Sequence, residues 1–201
     1  GLFSKGLYQE SLIEEDIEKI ESFYSEKGYI TARVVDVKSE IIDTDDPEKM
    51  GLRLTYYIEE GDQYTYDGIS FIGNIIHNDE ELEKMVRTKN GDVLNKVRME
   101  ADFVKISDLY FDDGYIFNSI SEEEVINYEH KKVSYIVTIV ESGRAHVENI
   151  VVRGNDKTRE NVILRELPIG VGDVFSKKKI SEGVQNLYNL QYFSAIYPET
   201  P

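Results

Sequence analysis

The chain has 201 residues and a net charge of −16, with 39 acidic against 23 basic side chains. That balance excludes a nucleic-acid binder, which needs a basic face to displace counterions, and it disfavours an anionic membrane surface. Cysteine is absent, which removes thiol catalysis, thiolate metal sites and disulfides; 40% hydrophobic and 11% aromatic content is that of a globular protein.

No run approaches the roughly 18 apolar residues of a membrane-spanning helix. No basic-then-apolar leader opens the chain, so it reads as a mature segment or a cut fragment. Residues 1–62 begin with Ser11-Leu12-Ile13-Glu14, which has capping-box form. Ile13, Ile17, Ile20 and Tyr24 follow at helical spacing, Gly28 stops the helix, and Tyr29 leads into a strand predicted from Ile30 to Val37. Asp43-Thr44-Asp45-Asp46-Pro47 reads as a loop, and Leu52, Leu54, Tyr56 and Ile58 alternate as a strand with one buried face.

Residues 63–143 hold a complete set of elements. Ile69 and Phe71 alternate in a strand that ends at Gly73-Asn74, residues that take positive φ cheaply. Asn78-Asp79-Glu80-Glu81 caps a short helix carrying Leu82, Met85 and Val86. Beyond Gly91-Asp92, a longer helix puts Met99, Phe103, Ile106 and Tyr110 on one stripe and stops at Gly114-Tyr115. A strand is expected through Ile116 and Ile120, then a loop at Glu122-Glu123-Glu124, then an alternating strand with Val133, Tyr135, Val137 and Ile139.

Residues 144–201 repeat the front of this set. Ile150 to Asn155 matches Ile69 to Asn74, and Gly172-Asp173 matches Gly91-Asp92, both 81 positions on. Thr158 to Glu166 and Ser176 to Tyr188 read as the two helices. Residues 1–62 repeat the back of the set, with Gly28-Tyr29 and Gly114-Tyr115 standing 86 apart. The chain thus divides at 1–62, 63–143 and 144–201: one whole repeat between two partial ones, the first lacking its opening strand and helix and the last its final strand. The joints, Glu60-Gly61-Asp62-Gln63 and Ser142-Gly143-Arg144, are too short and too poor in Gly and Ser to be flexible tethers, so neighbouring repeats must touch. The fold class is α+β, each complete unit being β-α-α-β-β with a three-stranded mixed sheet covered on one face by two helices. The most strongly alternating strand belongs in the middle of that sheet.

Strand-helix-helix-strand-strand with Gly-Asn after the first strand and Gly-Tyr after the second helix resembles the POTRA (polypeptide-transport-associated) domain. Glu59-Glu60-Gly61-Asp62-Gln63-Tyr64 resembles the junctions of outer-membrane β-barrel assembly factors. Asn186-Leu187-Tyr188-Asn189-Leu190-Gln191-Tyr192-Phe193-Ser194 resembles the second-helix ending of their barrel-adjacent module. The resemblance covers essentially the whole chain and implies the last three modules of such a factor. It also implies a periplasmic position in a diderm bacterium, next to a C-terminal membrane barrel. The implied partners are unfolded outer-membrane β-barrel proteins and the accessory lipoproteins of the machinery. A two-partner secretion transporter or a three-module assembly homologue remains open, as does a calcium-binding acidic repeat adhesin.

Reactive chemistry finds little support. His77, His130 and His146 are scattered and unaccompanied by cysteine, so no metal or catalytic role is expected. Asp43-x-Asp45-Asp46 is followed by Pro47 and lacks the glycine and glutamate of a calcium loop. Neither a phosphate loop nor a serine nucleophile elbow is present. No enzyme activity and no cofactor are expected, and main-chain chemistry remains. An exposed sheet edge can accept an extended client as a further strand. The candidate edges are Thr31-Ala32-Arg33-Val34-Val35-Asp36 and Ile116-Phe117-Asn118-Ser119-Ile120; the first can equally be an ordinary edge blunted by Arg33 and Asp36. Gly28-Tyr29, Gly73-Asn74, Gly114-Tyr115 and Gly154-Asn155 read as structural motifs. Incomplete sheets further predict that chains pair with one another through unfilled strand positions.

Overall fold

The computed structural model of the protein describes residues 7–154 and 160–189. The first elements are helix α1 (Leu7–Ser25) and an antiparallel hairpin of β1 (Arg33–Asp43) and β2 (Met50–Glu59). Then come β3 (Thr65–Ile72), the short α2 (Asp79–Glu83), the long α3 (Lys96–Asp112), β4 (Ser119–Asn127) and β5 (Lys132–Val140). Helices α4 (Glu160–Arg165) and α5 (Lys177–Asn189) complete the described elements. Three strands form a mixed sheet in the order β3-β5-β4. β5, the most regular alternator, is therefore central, with Val133, Tyr135, Val137 and Ile139 buried along one of its faces.

Several boundaries differ from the sequence expectation, each for a local reason. α1 already runs at Leu7, so Ser11 lies inside the helix and is not its cap. Thr31 and Ala32 stand in a turn before β1, and Ile116, Phe117 and Asn118 in the corresponding turn before β4. Both turns are closed alike, by Ala32 N–H on the Tyr29 carbonyl (3.2 Å) and Asn118 N–H on the Tyr115 carbonyl (3.2 Å). Asn118 also donates from its side chain to the carbonyls of Tyr115 (2.8 Å) and Ser107 (3.2 Å). The chain must finish this turn before it can extend. Glu122-Glu123-Glu124, expected as a loop, lies within β4. Ile120, Glu124 and Ile126 are half-buried on one strand face, and Glu124 fills an otherwise apolar slot by pairing with Lys96 at 2.9 Å. Among the described residues Ile150–Gly154 form no strand, because no neighbouring strand is present to complete a ladder; Asn155 lies outside the described residues. The expected buried face of β2 is also partial. Tyr56, whose hydroxyl donates to Asp16 of α1 (2.8 Å), and Ile58 are half-buried, whereas Leu52 and Leu54 are exposed.

By their contacts the residues fall into two compact units. The first takes residues up to Ser70 with Val86–Asp102 and Glu123–Ile136. Its core is Tyr64, Tyr66, Val86, Leu94, Met99, Val133 and Tyr135. Asp102 is fully buried there and accepts from Arg87 twice, from the main-chain N–H (3.0 Å) and from Nε (2.8 Å). The second unit takes Phe71–Met85, Phe103–Glu122 and the residues from Val137 on, with Phe71, Leu82, Phe103, Ile106, Tyr110, Val137, Ile139, Ile163 and Ile169 inside. In it Glu141 accepts from the Tyr110 hydroxyl (2.7 Å) and from the amides of Ile75 (3.0 Å) and Ile76 (2.9 Å).

Two stability effects follow. Arg87→Ala leaves the Asp102 carboxylate buried with one main-chain partner and lowers unfolding free energy by about 3 kcal/mol, read by urea denaturation. Burial opposes ionisation of Glu141, yet the bonds from Tyr110, Ile76 and Ile75 outweigh it and hold the carboxyl below the ordinary carboxylate range. A depressed folded pKa stabilises above the unfolded value, and that contribution is lost as pH falls through the folded one. Glu141→Gln therefore costs about 1–2 kcal/mol at pH 7, and its deficit against the parent chain shrinks toward pH 3.

Candidate functional site

The two candidate edges have different environments. In β1 the ladder to β2 slips between Val34 and Asp36, which leaves Val35 at a bulge. The Val34 amide is taken by the Glu21 carboxylate at 3.3 Å, and Arg33 pairs with Glu59 at 3.0 Å. Bulges and charged pairs are the usual means of blunting an edge. Thr31 and Ala32 add no strand to it. β4 is the outer strand of its three-stranded sheet, with β5 on its inner side. Of the second candidate set, Ser119 and Ile120 open this strand, while Ile116, Phe117 and Asn118 build the turn that delivers it. Asn118 is committed to that turn, accepting from the Ser107 hydroxyl at 2.9 Å.

The residues read as structural motifs do more than stop helices. Gly28 (φ +87°) and Gly114 (φ +95°) end α1 and α3 in the left-handed region, and Tyr29 and Tyr115 donate back to Tyr24 and Tyr110 (3.0 and 2.9 Å) with their rings edge-on to them. Each glycine carbonyl then receives an amide from the start of the following repeat, Tyr64 at 2.8 Å and Ala145 at 2.7 Å. The carbonyls of Tyr64 and Ala145 in turn accept from Leu94 (3.0 Å) and Phe175 (2.9 Å). A Cβ at Gly28 would stand 2.8 Å from Val93, and one at Gly114 2.6 Å from Val174. Side chains complete both joints. Gln63 Nε2 donates to the Lys27 carbonyl (2.8 Å), and Arg144 reaches the Asp113 carbonyl (3.0 Å) and carboxylate (2.7 Å) while lying over the Tyr115 ring. Asp112 accepts from the Lys178 amide at the start of α5 (2.9 Å). These joint contacts went unread in the sequence, although both partners of each joint lie in matched phrases, Gly28-Tyr29 with Gly114-Tyr115 and Gly91-Asp92-Val93 with Gly172-Asp173-Val174.

Gly73 (φ +87°) is pinned for another reason: a Cβ there would run into the Ile139 carbonyl oxygen. Asn74 donates to the His77 carbonyl (2.9 Å) and to Asp79 (2.8 Å), and Asn78 caps α2 through the Glu81 amide (2.9 Å). Gly154 also has positive φ, and among the described residues nothing lies within 4 Å of where a Cβ would point. His77 meets Glu81 at 2.8 Å, His130 sits in the β4–β5 turn, and His146 bridges Val174. Asp46 accepts from the Glu48 amide (3.0 Å) in the β1–β2 turn. Among the described residues no group of His, Asp or Glu is placed to hold a metal.

Gly114→Ala forces a Cβ into both the left-handed conformation and Val174, so the joint weakens by about 1–2 kcal/mol. Hydrogen exchange of the Ala145 amide, bonded to Gly114, should then speed up by about tenfold.

A family model described as POTRA, surface antigen variable number repeat, matches residues 1–61, 64–142 and 145–201. The putative outer membrane protein assembly factor of Treponema pallidum (strain Nichols) is 39% identical over 196 residues, which is 98% of this chain and 23% of that protein. The outer membrane protein assembly factor BamA of Nitratidesulfovibrio vulgaris (strain Hildenborough) is 30% identical over 207 residues, 99% of this chain and 25% of that one. The chain thus spans about a quarter of the length of these relatives. The crystal structure of Haemophilus influenzae BamA POTRA3-5 superposes with a TM-score of 0.67 at 19% identity, over 92% of this chain and 72% of that one, a likeness of fold. With three tandem matches along its length, the chain belongs to the POTRA family, in an arrangement like the POTRA region of BamA-type outer membrane protein assembly factors.

Proposed function

We propose that this chain is a non-enzymatic periplasmic scaffold within an outer-membrane protein assembly factor of a diderm bacterium, and that β4 captures unfolded barrel clients by β-augmentation. Its modules run over 1–62, 63–143 and 144–201, stand N-terminal to a membrane barrel and dock accessory lipoproteins. The observation that carries the client reading is the strand order β3-β5-β4, which among the described residues gives β4 one inner neighbour and one open side. Main-chain N–H and C=O groups on that side pair with any extended chain regardless of its sequence, as a receptor for many clients requires. β4 ranks ahead of β1, whose bulge at Val35 and occupied Val34 amide interrupt the row of free groups. The relatives named as assembly factors support the setting.

A titration of the isotope-labelled chain with a barrel-strand peptide of alternating apolar residues tests the edge. Amide shifts concentrated at Ser119–Asn127, with slowed exchange at alternate residues, are the expected result. Shifts confined to other elements would remove β4 from the mechanism.

A further inference from the structure

The loop between β3 and α2 holds two consecutive isoleucines out in solvent. Ile75 is 88% exposed, Ile76 is exposed beside it, and Ile72 and Val140 at the adjoining strand ends are exposed as well. The loop is firmly built. Gly73 abuts the Ile139 carbonyl, Asn74 ties the loop to His77 and Asp79, and the Glu141 carboxylate clasps both isoleucine amides. Its polar groups are satisfied inward while its apolar side chains are displayed outward. At the matching positions 81 residues on, after the same Gly-Asn, the sequence has Asp156-Lys157 in place of the two isoleucines. Beside the patch, α2 carries Asp79, Glu80, Glu81 and Glu83, with Lys84 after them, so its rim is acidic.

We propose that Ile72, Ile75, Ile76 and Val140 form a docking surface for a folded partner protein whose contact face is apolar at the centre and ringed by Lys and Arg. An apolar centre inside a polar rim is the ordinary anatomy of such interfaces, and a preorganised loop lowers the ordering cost of binding. The acidic rim sets the sign of the partner. It repels a second copy of this surface and an anionic lipid surface, and it attracts a basic one. The surface does not involve β4, so its test is separate from that of client capture.

The test uses the full-length protein in its native cells, with the photo-crosslinker p-benzoylphenylalanine in place of Ile72. The expected product is a discrete adduct to another folded protein, mapped by mass spectrometry to an apolar segment flanked by Lys or Arg. Converting the loop to its repeat's sequence with Ile75→Asp and Ile76→Lys should cut that adduct about tenfold or more. In the isolated chain the same double substitution should leave the melting temperature within about 2 °C, because the bonds to Glu141 come from the main chain. Adducts only to lipid, to a second copy or to unfolded clients, or no adduct at all, overturn the proposal. So does an adduct that survives the double substitution, or a melting temperature lowered by more than about 2 °C, which would make the isoleucines part of the fold.

Discussion

A single carbonyl at the end of each long helix makes the string of repeats possible. A glycine in the left-handed conformation stops the helix, and its C=O turns toward the next repeat, where Tyr64 or Ala145 supplies the amide. An L-residue pays about 1–2 kcal/mol for that conformation before any clash is counted. The valine of the next repeat, Val93 or Val174, then closes on the space a Cβ would need. Helix termination and repeat joining are one event, so the joint cannot loosen without disturbing the helix end. The contact pattern agrees: each compact unit contains one joint whole.

The repeats keep this joint and vary what surrounds it. Tyr110 bonds to Glu141 at 2.7 Å, and Tyr24 bonds to Glu60 at the matching positions, more loosely at 3.3 Å. The buried Arg87–Asp102 pair of the central repeat has no counterpart. The equivalent positions are Pro168 and Gly183, where a Cβ on the glycine would stand 3.3 Å from the proline ring. Where the central repeat has a charged clamp, the last repeat has a close approach of glycine to proline. The ion pair is not the more stabilising choice in itself, since desolvation cancels much of its Coulomb gain; losing one member is what costs.

Features set by local chemistry were legible in the sequence. Gly73-Asn74 marked the repeat, Asn78 the cap of α2, and the alternation of Val133, Tyr135, Val137 and Ile139 the central strand. Features settled by distant partners were not. Glu124 looks like loop composition until Lys96, 28 positions earlier, is brought beside it. Arg87 and Asp102 sit 15 apart on different segments with no periodicity linking them. Ile150–Gly154 has strand composition, yet a strand exists only with a neighbour, and none is present among the described residues. The candidate edges were placed a few residues early because Tyr29 and Tyr115 close turns whose purpose is visible only once the helix ends are known.

If β4 is the proposed client edge, the acidity of the chain acquires a specific role there. An edge strand open to clients is equally open to other copies of itself, and such self-pairing is the route to aggregation. Glu122 and Glu123 lie exposed within β4, so two copies meeting antiparallel along this edge would bring glutamates of one strand opposite or diagonal to those of the other. Like charges so placed are destabilising at each pair. A neutral or basic extended segment meets no such penalty and finds the same main-chain groups. Under the proposed client reading, Glu122 and Glu123 would discriminate between partners by charge without blocking the edge, while Glu124 is already paired with Lys96.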